Sequence, residues 1–69
     1  MNPVNKVMDH FHIMNDWMTP FQVSEATGVT LEDTKSIIDM EVDDGKLLWS
    51  VIEGKYKWNT QWKQNTFNR

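Results

Sequence analysis

Residues 23–47, VSEATGVTLEDTKSIIDMEVDDGKL, decide the fold. They hold the end of one helical segment, Gly28, a second helical segment, Gly45 and the first residue of a strand. Gly28 suits the left-handed turn that follows a helix. Thr30 can cap the next helix, and Glu32 and Asp33 fall in its first turn, where carboxylates suit the positive end of the helix dipole. On that helix Leu31, Ile38 and Val42 share a narrow apolar stripe, while Asp33, Ser36, Met40 and Asp43 point the other way. Two details resist the pattern. Asp43 and Asp44 sit at the negative end of the dipole, and Glu41 falls between Ile37 and Ile38, at the edge of the expected core.

Upstream, Thr19-Pro20-Phe21-Gln22 is a helix start with Thr19 as N-cap, Pro20 at N1 and Gln22 placed to close a capping box. Met18 and Val23 occupy the positions of a hydrophobic staple. Asn2-Pro3 opens an earlier helix, expected from Pro3 to Met14, with Val4, Val7, Met8, Phe11 and Met14 as its apolar stripe. Ile13 falls on the opposite face, exposed or used in a contact.

Downstream, Leu47–Ile52 and Lys55–Trp58 read as two strands around a two-residue Glu53-Gly54 turn. That register pairs Ile52 with Lys55, Val51 with Tyr56, Ser50 with Lys57 and Trp49 with Trp58. Alternation then puts Leu47, Trp49, Val51, Tyr56 and Trp58 on a core face, and Leu48, Ser50, Ile52, Lys55 and Lys57 on the other. Glu-Gly is a poorer primed turn than Asn-Gly, which leaves a longer loop open. Residues 1–58 thus form the domain. Residues 59–69 are a polar tail, expected to fray unless Trp62 and Phe67 dock on the body.

The order helix, short strand near Trp17, helix, tight turn, helix, hairpin resembles the winged helix-turn-helix family. The Glu25–Thr30 turn, EATGVT, and the glycine before the hairpin carry the resemblance, which spans residues 4–58. It implies an α+β fold of three helices followed by a two-stranded wing. It also implies DNA binding, with the third helix in the major groove and the wing on backbone or minor groove. By position, Leu31, Glu32, Lys35, Ser36 and Asp39 inherit the groove work, and Lys55 and Lys57 the wing work. Here the third helix departs from the family: its exposed side carries Glu32, Asp33, Asp39 and Asp43 against Lys35 alone. Carboxylates near phosphates meet like charge with little counterion release to compensate.

The 69 residues carry a formal charge of −3, unevenly spread. Residues 1–45 hold nine acids against Lys6 and Lys35, a net −7, and residues 46–69 hold five cations against Glu53, a net +4. An anionic partner is therefore expected at the carboxy-terminal third. A transcriptional regulator of this kind would contact duplex DNA through Lys35, Ser36, Lys55, Lys57, Lys63 and Arg69. It is expected to dimerise, since a second half-site adds specificity. The alternative is a protein-interaction module on the same frame, binding a basic protein surface through the acidic third helix. Ile13, Asp39, Met40, Trp62 and Phe67 are the candidate protein contacts.

Other chemistries find little support. No cysteine is present, which removes disulfides and thiolate metal sites and favours a reducing compartment. No apolar run approaches a membrane span and no basic-then-apolar leader opens the chain, so a cytoplasmic location without membrane contact is expected. His10 and His12 lie on nearly opposite sides of a helix and cannot share a metal there. Ser24, Ser36 and Ser50 have no evident base-and-orienter set, and no glycine-rich phosphate loop occurs. Neither catalysis nor a cofactor is expected. The run Lys55-Tyr56-Lys57-Trp58 could offer stacking rings to single-stranded nucleic acid, but its alternation puts the rings on the face away from the lysines.

Overall fold

Each helix of the computed structural model, which describes residues 2–62, begins at the cap that its sequence supplies. Helix α1 spans Pro3–Met14, and the Asn2 side chain accepts the Asn5 N–H at 2.8 Å. Helix α2 spans Pro20–Thr27 behind a complete capping box. The Gln22 N–H donates to Thr19 Oγ1 at 3.1 Å, and the Thr19 N–H donates to Gln22 Oε1 at 2.8 Å. Helix α3 spans Leu31–Asp43, with the Asp33 N–H donating to Thr30 Oγ1 at 3.2 Å. Gly28 ends α2 at φ 78°, a left-handed conformation that costs a residue with a Cβ about 1–2 kcal/mol.

The end of α3 fixes where the wing begins. Gly45, at φ 84°, donates to the Val42 carbonyl at 3.0 Å, and the Lys46 N–H reaches back to the Glu41 carbonyl at 2.9 Å. These are the two bonds of a Schellman closure. The chain then enters β1, Leu47–Ser50, antiparallel to β2, Lys55–Trp58. On the far side of β2, Met18 and Tyr56 exchange both backbone bonds at 2.8 Å, which adds the short strand segment expected near Trp17. Three helices and an antiparallel hairpin in this order give the expected α+β, winged-helix-like topology.

The hairpin register differs from the expected one. Leu47 pairs with Trp58, Leu48 with Lys57, Trp49 with Tyr56 and Ser50 with Lys55, leaving Val51–Gly54 as a four-residue loop. The two-residue primed turn required a left-handed Glu53 as well as Gly54. Only Gly54 supplies one, at φ 63°. The loop instead closes through the Gly54 N–H on the Ser50 carbonyl at 2.9 Å, and Ser50 Oγ accepts the Glu53 N–H at 3.4 Å. A shift of two residues keeps every strand side chain on its expected face. It nevertheless carries Val51 off the sheet.

The core is formed by Val7 and Phe11 of α1, Met18, Val23 of α2, Val29, Ile37 and Ile38 of α3, and Leu47 of β1. Val4, Met8, Val42, Tyr56 and Trp58 pack against it half-buried. Thr34 is also fully buried, with its hydroxyl directed at the Val29 carbonyl. Four expected core residues lie outside: Met14 at the end of α1, Leu31, Trp49 and Val51. On α3 the buried side is Thr34, Ile37, Ile38 and Glu41, so the buried face is rotated from the expected Leu31 stripe and Leu31 is exposed.

Candidate recognition surface

Rotation of α3 sets what it shows to solvent. With Thr34, Ile37, Ile38 and Glu41 inward, the opposite side is Glu32, Ser36, Asp39 and Asp43, which follow one another by four, three and four residues and form one stripe. All four are exposed. Lys35 flanks the stripe on one side and Met40, 47% exposed, on the other. Ile37 is buried.

The wing carries the second part of the surface. Its outer end is apolar: Ile52 is 97% exposed and Val51 71%, with Trp49 and Leu48 exposed behind them. Lys55 and Lys57 are half-buried opposite Ser50 and Leu48. They occupy the hairpin face away from Trp49 and Tyr56. Trp49 and Tyr56 in turn line a groove with Asp39, Val42 and Asp43 of α3. The α3 pair Lys35 and Ser36 and the wing pair Lys55 and Lys57 are thus divided by a groove with two carboxylates in its wall.

Among the remaining candidates, Ile13 is 77% exposed beside a shallow groove between α1 and α2 lined also by Lys6, Asp9, His10, Ala26 and Thr27. Trp62 is half-buried, with Lys46 Nζ 5.1 Å from its ring centre. Lys63, Phe67 and Arg69 lie outside the described residues. His12 packs on Trp58 with ring centres 4.8 Å apart, whereas His10 is half-buried. Among the described residues no group of three or more potential ligands could hold a metal, and no helix is long and apolar enough to cross a membrane.

Sequence reasoning put Leu48 and Ile52 on the outer face of the wing but missed the exposure of Trp49 and Val51. The signal was present in Leu47–Ile52, where apolar residues occupy both alternating faces although a hairpin lying on a small core buries only one.

One buried charge stands behind this surface. Glu41 is 4% exposed, and desolvation pushes its carboxyl above the ordinary value of 4.5. Lys46, with Nζ 3.9 Å from Oε2, opposes the shift, and Asp44 reinforces it by charge and hydrogen bonding. The pair spans the two positions of the Schellman closure that usually make an apolar contact. A folded-state value above the unfolded one means stability that is fully present below pH 4.5 and is lost as pH rises through the folded value. Glu41→Gln is therefore expected to raise the melting temperature at neutral pH, with the gain shrinking towards zero as the carboxyl becomes protonated in both states. Thermal melts of both proteins across this range check it. A lower melting temperature for the variant at pH 7 would show that the Lys46 pair outweighs desolvation.

No protein-family model, no curated protein and no solved structure matches this chain.

Proposed function

We propose that this chain is a non-catalytic winged-helix recognition module whose partner is a protein with a basic surface. The observation that carries the reading is an apolar wing end, with Ile52 97% exposed, on a hairpin whose exposed Trp49 lines a groove with Asp39 and Asp43 of the acidic α3 stripe. Exposed apolar residues rimmed by charge mark protein contacts, and potentials of opposite sign steer the partners together. A wing that gripped DNA would present cations where Val51 and Ile52 stand. The serine hydroxyls of α2 and of the end of β1 are also engaged in structure. Ser24 donates to the Val29 carbonyl at 2.6 Å, and Ser50 accepts within the wing loop. A cytoplasmic setting accords with the absence of cysteine.

The second reading, a DNA-binding transcriptional regulator acting as a dimer, is favoured by the topology itself and by the exposed Lys35 and Ser36 on α3. In it Lys55, Lys57, Lys63 and Arg69 add the phosphate contacts.

Two measurements separate the readings. Titration with mixed-sequence duplex DNA at low salt, where the electrostatic attraction is largest, is expected to show no binding. A photoreactive residue in place of Ile52 is expected to cross-link a protein in the source cells, and that protein, once identified, should present a basic face. Saturable duplex binding that weakens steeply with salt and is lost in Lys55→Glu with Lys57→Glu would transfer the conclusion to the DNA reading.

A further inference from the structure

We infer that the groove between α3 and the wing receives an arginine side chain from a basic partner segment, with apolar residues of that segment resting on Val51 and Ile52. The inference rests on the protein-binding reading above and names the partner's chemistry.

The groove, of about 370 Å³, has an aromatic wall and an acidic wall. Trp49 and Tyr56 are directly paired across the hairpin, so their side chains stand together on one face. Asp39 and Asp43 are one helical turn apart and project side by side from α3, with Val42 between the two walls. Trp49 is 57% exposed, a large apolar area for a module of this size to leave in water. Among the described residues, neither Asp39 nor Asp43 forms an ion pair, and Lys46, the lysine next to the wing, is held by Glu41.

These groups select one class of occupant. A guanidinium is planar, stacks on an aromatic face and offers a fork of N–H donors to carboxylates. An ammonium satisfies the charge without the stacking plane or the fork, so lysine should bind less well. A phosphate is repelled by both aspartates. The chain's own wing lysines cannot fill the groove, because Lys55 and Lys57 stand on the opposite hairpin face. The chain's net −3, concentrated as −7 in residues 1–45, attracts a basic segment at long range. Val51 and Ile52 then require that segment to carry apolar residues too.

The probe is a short synthetic peptide alternating leucine and arginine, compared with analogues that carry lysine or citrulline at every arginine. Citrulline keeps the shape and loses the charge. Binding to the full chain is followed by peptide fluorescence anisotropy and by the indole N–H resonance of Trp49. The arginine peptide is expected to bind and to move that resonance, with affinity falling in the order arginine, lysine, citrulline and by about tenfold or more to citrulline. Asp39→Asn with Asp43→Asn, and separately Trp49→Ala, are expected to weaken binding of the arginine peptide to a similar degree. All three positions changed are exposed, and circular dichroism confirms that each variant is folded.

Equal affinity for the citrulline analogue, an unmoved Trp49 resonance or no saturable binding would each overturn the inference. If binding is lost in Val51→Ser with Ile52→Ser but not in the groove variants, the groove assignment falls and the protein-binding reading stands. If the cross-link at Ile52 also finds no protein, both fall. Self-association that needs Trp49 and disappears on removal of residues 63–69 would put a second copy in the groove and overturn the foreign partner.

Discussion

Phe11→Ala should leave the domain largely unfolded at 25 °C. Phe11 is fully buried in the same cluster as Val7, Val23, Ile38 and Leu47, which come from all three helices and the wing. Its carbonyl also accepts the Asn15 N–H at 2.9 Å, which closes α1 just before the chain turns towards Met18. Truncating a buried phenylalanine costs about 3–5 kcal/mol, and a core of this size rarely supplies more than about 3–5 kcal/mol in total. The variant therefore loses most or all of its margin. Far-ultraviolet circular dichroism and urea titration read the result: the wild type unfolds cooperatively, and Phe11→Ala shows little or no folded baseline. Phe11→Leu keeps most of the volume, costs on the order of 1 kcal/mol and should lower the melting temperature by about 4–8 °C. A cooperative Phe11→Ala transition within a few degrees of the wild type would mean that the helices are not joined through this residue.

The parts of the fold that were legible in the sequence are those fixed by chemistry within a few residues. Asn2, Thr19 and Thr30 announce three helix starts, because each side chain bonds a backbone N–H in the first turn of its own helix. Gly28 and Gly45 announce two stops, because both need a left-handed backbone. The acidic stripe was legible too, since charges that cannot be buried fix the outer side of α3. The wing register was not. It depends on whether Glu53 takes a left-handed conformation or Ser50 closes a longer loop, and the strand pattern is the same for both because they differ by two residues. From that difference follows the exposure of Val51. Glu41 was ambiguous for another reason: its burial is offset by Lys46, which belongs to the turn after the helix and is invisible to a helical wheel. The recognition surface was thus partly visible, its charge and the outward Leu48 and Ile52 from sequence, and the exposure of Val51 only once the loop was placed.

Reversing the α3 stripe should turn this module into a DNA binder. In Glu32→Lys with Asp39→Lys and Asp43→Lys, each exchange replaces an exposed carboxylate by an ammonium, so the chain's formal net charge goes from −3 to +3. Three cations then stand along one side of a helix beside a wing that already carries Lys55 and Lys57. None of the three positions is buried or hydrogen-bonded through its side chain, so stability should change little. Non-specific duplex binding is governed by the number of phosphates neutralised, and modules of this kind reach dissociation constants of about 10⁻⁴–10⁻⁶ M at physiological salt. At low salt the recharged protein should bind mixed-sequence duplex roughly a hundredfold or more above the wild type, with the logarithm of affinity falling by about 0.9 per phosphate per decade of salt. The comparison works in both directions. If the wild type already binds as well as the variant, the acidic stripe does not face the duplex and the protein-binding reading loses its electrostatic basis. If neither binds, α3 and the wing do not present a surface that duplex DNA can reach, and the DNA reading loses its geometric one. Binding by the variant alone would show that the frame can engage DNA and that Glu32, Asp39 and Asp43 are what direct it elsewhere.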